Sequence, residues 1–83
     1  MTVNETFVLM MALQANGRLR YRDVCAAMPP YAEPWGILNS LRRQGAVEHP
    51  RYDHWEITEK GRIAAALALH KDPKLADAFG VAA

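Results

Sequence analysis

Cysteine, one-sided charge and long apolar runs are all scarce in this chain. Cys25 is the single cysteine among 83 residues, so no intramolecular disulfide framework or cysteine-based zinc site can form, which fits a reducing cytoplasm. The apolar run from Phe7 to Leu13 is far short of the ~20 residues of a membrane span, and no basic segment of a signal peptide precedes it. There is no Gly-rich phosphate loop, no HExxH pair and no serine in a nucleophile elbow, so the familiar enzyme signatures are missing and no cofactor is implied. Ten Lys and Arg stand against nine Asp and Glu, a net charge of +1. No overall basic field points to nucleic acid or a membrane surface, and any such role must rest on local placement.

Hydrophobic residues make up 51% of the chain and charged residues 23%, the balance of one small folded domain. Thr2 and Glu5 have the spacing of a capping box, which predicts a first helix from Val3 to Ala15, closed by Asn16-Gly17. Val3, Phe7, Met10 and Met11 make one apolar stripe and Leu9 and Leu13 an adjoining one, a face wide enough to need partners on two sides. Leu19 and Tyr21 alternate with Arg18, Arg20 and Arg22, which suits a short edge strand beside a hairpin. A second helix is expected from Arg22 to Met28, with Val24, Cys25 and Met28 on one face and Pro29-Pro30 as its stop.

Pro34 fits the first position of a third helix and Gly45 the position past its end. Trp35, Leu38 and Leu41 share one face of it, and Arg42 and Arg43 complement its dipole. A hairpin follows: Ala46 to Glu48, a tip at Pro50, Arg51, Tyr52 and Asp53, and a return through His54 to Ile57. Val47, Trp55 and Ile57 lie on one side of it. Thr58 caps a fourth helix running to about His70, for which Ile63, Leu67 and the neighbouring alanines are the expected inner face. Asp72-Pro73 starts a short fifth helix that carries Leu75 and Phe79 and ends at Gly80. The reading is mainly α with a small β-hairpin.

Two segments carry a resemblance. Leu38-Asn39-Ser40-Leu41-Arg42-Arg43-Gln44-Gly45-Ala46-Val47 and Trp55-Glu56-Ile57-Thr58-Glu59-Lys60-Gly61-Arg62 resemble the winged helix-turn-helix domains of bacterial and phage transcription regulators. There a recognition helix with a Leu-x-x-Leu-x-x-x-Gly-x-Val end precedes a two-stranded wing, and an aromatic-x-Ile/Leu-Thr-x-x-Gly-Arg segment opens the next helix. The resemblance implies a three-helix core, the wing and additional C-terminal helices, with residues 1–71 as the domain and residues 72–83 as a terminal element that pairs with a second copy or packs back on the first helix.

It further implies double-stranded DNA as the partner, with Glu33, Trp35, Gly36, Asn39, Ser40 and Arg43 facing the major groove and Pro50, Arg51, Tyr52 and Asp53 at the tip of the wing. Of the helix residues, Asn39, Ser40 and Arg43 have the chemistry to meet bases or phosphates, while Glu33 repels phosphates unless it accepts from a cytosine. Arg51 is suited to a phosphate. Arg18, Arg20 and Arg22 fit either phosphates or a solvated strand face, and Tyr52 either stacks or covers the hairpin. Eight basic and six acidic residues lie between positions 18 and 62, a bias of the right sign and small size. The expected function is a small, non-enzymatic DNA-binding regulator, a repressor acting as a homodimer. The alternative is a protein-interaction module that presents Tyr31, Glu33, Trp35 and Tyr52.

The remaining chemistry is sparse. His49 and His54 are expected as cross-strand neighbours, and two histidines without a third ligand make a poor zinc site. Cys25 is expected as a small buried thiol on the second helix.

Overall fold

The computed structural model describes residues 1–79, the side chain of Pro30 apart; the Gly80 expected to end the last helix lies outside them. The elements follow in the order α1 (Val3–Gln14), β1 (Arg18–Arg20), α2 (Tyr21–Ala27), a 3-10 turn (Pro30–Ala32), α3 (Pro34–Arg43), β2 (Val47–Arg51), β3 (His54–Ile57), α4 (Glu59–Lys71) and α5 (Lys74–Phe79). The chain is mainly helical, with one three-stranded antiparallel sheet in which β3 lies between β1 and β2.

α1 starts at the expected capping box: the Thr2 hydroxyl accepts from the Glu5 N–H at 3.1 Å and the Glu5 carboxylate accepts from the Thr2 N–H at 2.8 Å. Its buried side chains differ from the expected stripes. Val8, Leu9, Met10 and Ala12 are fully buried while Val3 is 84% exposed. The cause is position, since α1 packs against α3, α4, α5, β1 and β3 and is enclosed on several sides rather than along one stripe. Asn16 and Gly17 both take positive φ, 60° and 89°, to turn the chain into β1.

In the sheet, Leu19 pairs with Trp55 and Val47 with Ile57, and all four are buried. Paired residues share a face, so two rows point outward: Arg18, Glu56 and Glu48, and Arg20, His54 and Arg51. The β2–β3 register is irregular between Glu48 and Arg51, where Pro50 has no N–H to give the ladder. This irregularity overturns the expected pairing of His49 with His54. His54 lies opposite Arg51, and His49 turns inward to stack on Trp55, ring centres 3.8 Å apart.

α2 begins one residue earlier than expected and ends one residue sooner; it buries Val24, Met28 just past its end is buried too, and Cys25 is only half-buried. α3 has Pro34 in its first turn and buries Ile37, Leu38 and Leu41. Trp35 is not on that inner face and remains 43% exposed.

The expected inner face of α4 is also corrected. Ile63 and Leu67 are 57% and 58% exposed, and the line toward the core is Gly61, Ala65 and Leu69. Thr58 brings the helix start close to the α3–β2 turn: its hydroxyl donates to the Gly45 carbonyl and accepts from the Gly61 N–H at 3.0 Å. A Cβ at Gly61 would collide with the Ala46 carbonyl. Only small side chains fit so near an approach, and the large ones rotate outward. In α5, Leu75 and Phe79 pack on the core, Phe79 meeting Phe7 edge to face at 5.0 Å.

Candidate functional site

The 3.6-residue period of α3, with Ile37, Leu38 and Leu41 inside, turns Gly36, Asn39 and Arg43 outward on one line. Gly36 and Arg43 are exposed and Asn39 is half-buried. Ser40 lies on the flank of this line that faces α1, and it is not free. Its hydroxyl donates to the Glu5 carboxylate at 2.7 Å, and Gln44 Nε2 donates to the same oxygen at 2.5 Å. Ser40, expected as a nucleic-acid contact, thus ties α3 to α1.

Glu5 is a buried charged residue that spacing marked only as part of a cap. Burial by itself raises its pKa, but the hydrogen bonds from the Thr2 backbone, Ser40, the Thr2 hydroxyl and Gln44 outweigh that and hold it at about 2. The carboxylate is thus charged at any ordinary pH, and α3 is anchored by it.

The other flank of α3 meets the hairpin through aromatic rings. Trp35 sits edge-on to Tyr21, His49 and Trp55, at 5.6, 5.7 and 5.5 Å. His49 Nε2 is 2.9 Å from the Tyr52 carbonyl, so the same ring that covers Trp55 also closes the turn. Cys25 beside the Tyr21 phenol pushes its pKa up. This cluster fixes the β2–β3 hairpin against the start of α3.

The expected cations divide into three settings. Arg20 and Arg51 are both exposed and flank His54 in one row across the outward side of the sheet. Arg22 reaches the hairpin turn, where its Nε lies 3.6 Å from the Asp53 carboxylate. Arg43 stands apart on α3. Arg42, considered from sequence only for the helix dipole, is exposed too, two helical turns beyond Trp35. Tyr52, in the turn itself, is 85% exposed. The sheet row and the outward line of α3 belong to different elements, joined through the aromatic cluster.

Among the described residues no group of three His, Cys, Asp or Glu side chains could hold a metal ion, and no helix is long and apolar enough to cross a membrane. No family model matches the chain, and neither a curated protein nor a solved structure does.

Proposed function

We propose that this chain is a small winged helix-turn-helix regulator that binds double-stranded DNA in the cytoplasm of a bacterium or phage host, and represses by occupying its site. The reading is supported above all by one observation: α3 follows α2 across the 3-10 turn Pro30–Ala32 and carries an outward line of Gly36, Asn39 and Arg43, the last two without a side-chain hydrogen bond or ion pair among the described residues, ahead of a hairpin that carries Arg51. In this reading α3 enters the major groove. Asn39 pairs with an adenine edge and Arg43 with a guanine or a phosphate. Arg51 and Arg20 neutralise backbone phosphates, Tyr52 lies against the sugar-phosphate chain, and Arg22 joins when its exposed pair with Asp53 opens. The function is binding, with no catalytic step.

Binding of purified protein to a random duplex at roughly 50 and 200 mM salt tests this. A protein that neutralises about four phosphates loses on the order of a hundredfold in affinity over that range. Arg43→Ala and Arg51→Ala should each weaken binding, and removing a phosphate contact should lower the salt slope by about 1. Binding that survives unchanged in both variants overturns the reading.

A second reading, a winged-helix module for a protein partner, is favoured by the exposure of Tyr31 and Tyr52, 86% and 85%. Such aromatics suit the centre of a protein interface. Failure to bind any duplex at low salt, together with a stoichiometric protein partner lost in Tyr31→Ala, selects it.

A further inference from the structure

The outward side of α4 is the one large apolar helix face that the fold does not use among the described residues. Ile63 and Leu67, one turn apart, are 57% and 58% exposed, and Ala66 beside them is exposed as well. A shallow groove lined by Met1, Thr6, Ala64, Leu67, Ala68 and Lys71 continues the apolar surface toward the start of α1, where Met1 is 56% exposed. α5 leaves this face uncovered because Leu75 and Phe79 pack on α1 and the core.

The ends of the stripe have opposite charge. Glu59 lies in the first turn of α4, and His70 and Lys71 lie in the last. The other two cations of the helix are drawn aside: the Lys60 side chain lies over Gly45 and the Arg62 guanidinium over Gly17. What remains is an acid at the start, a small and apolar middle, and a base at the end.

We infer that this face pairs with a second copy of the chain, the two α4 helices crossing antiparallel about a twofold axis near Ala66. A stripe of this kind is complementary to itself only in that orientation. Ile63 of each copy then meets Leu67 of the other, and Glu59 meets His70 and Lys71, so both ends are neutralised. The helix dipoles are opposed as well. A parallel pair would set Glu59 against Glu59 and Lys71 against Lys71. Ala66 at the crossing permits close approach of the two backbones. The 13 residues of α4 span about 20 Å, which makes a small interface, and the dimer is accordingly weak and concentration-dependent. It holds whether or not α3 and the hairpin bind DNA.

Sedimentation equilibrium on the full chain, from roughly 5 to 500 μM, a range suited to small interfaces, tests the inference. Wild type should pass from monomer to dimer, and Leu67→Lys should stay monomeric with an unchanged circular dichroism spectrum and melting temperature. Glu59→Lys alone and Lys71→Glu alone should each weaken the dimer about tenfold, because each reverses two symmetry-related pairs. The double variant, which exchanges the charges, should recover most of that loss. A monomer at every concentration overturns the proposal, and so does a dimer that persists in Leu67→Lys. Charge reversals that the double variant does not rescue overturn the antiparallel arrangement.

Discussion

Glu5 and Ser40, 35 positions apart, are joined by a hydrogen bond of 2.7 Å from the Ser40 hydroxyl to the Glu5 carboxylate. The same carboxylate caps the first turn of α1 through the Thr2 N–H and accepts from Gln44. One buried charge therefore sets both where α1 begins and how α3 lies against it.

Acid should weaken this junction. A carboxylate whose pKa falls from 4.5 in the unfolded chain to about 2 in the folded one binds its proton more readily when unfolded. It adds stability above about pH 4.5 and loses it as the pH falls toward 2, an effect on the order of 2 to 3 kcal/mol. Urea denaturation at a series of pH values should show this fall, and Glu5→Gln should flatten it while lowering stability at neutral pH. An equally steep acid profile in Glu5→Gln would assign the loss to other carboxylates.

Ser40→Ala should behave as a stability variant. Removing the hydroxyl deprives a buried charge of one donor, at a cost of about 1 to 3 kcal/mol, read as a lower urea midpoint. DNA affinity, measured well below the midpoint, should stay within about threefold of wild type because the hydroxyl is turned to α1. A large loss of affinity with stability intact would return Ser40 to the proposed DNA-contacting face.

Two helical glycines should respond with opposite signs. Gly61→Ala drives a methyl group into the Ala46 carbonyl and close to Ile57, where overpacking costs about 1 to 3 kcal/mol or more. At Gly36 a Cβ meets only Glu33 atoms at 3.9 Å, an ordinary contact, so Gly36→Ala should stabilise by about 0.5 to 1 kcal/mol through helix propensity. Thermal melts of the two variants give the comparison directly.

Trp35→Ala should also destabilise, by about 2 kcal/mol, since the indole meets three aromatic rings at 5.5 to 5.7 Å. Tyr31→Ala and Tyr52→Ala, both at highly exposed positions, should stay within about 0.5 kcal/mol of wild type. The tyrosines rather than Trp35 are then the clean probes for a protein partner, and melting curves of the three variants check the distinction.

Local chemistry was legible in the amino-acid sequence. The Thr2–Glu5 capping box, Pro34 at the start of α3, Gly45 in its left-handed turn and Thr58 as the cap of α4 all depend on residues a few positions apart, and the physics of a cap is complete within one helical turn. The inward side of the hairpin was equally legible, because alternation along a strand assigns Val47, Trp55 and Ile57 to one face.

Tertiary structure alone decided which apolar residues of a helix are buried and which polar ones are free. Ile63 and Leu67 have the spacing of a core stripe, yet the contact of Gly61 with Ala46 turns the alanine side of α4 inward. Ser40 has the chemistry of a DNA contact, yet Glu5 takes its hydroxyl. His49 and His54 are spaced as hairpin partners, yet the irregular register at Pro50 sends one to Trp55 and leaves the other between two arginines. Periodicity states that a helix or strand has two sides. Which side meets the core depends on the shape of the neighbour, and that neighbour is brought up by residues far along the chain.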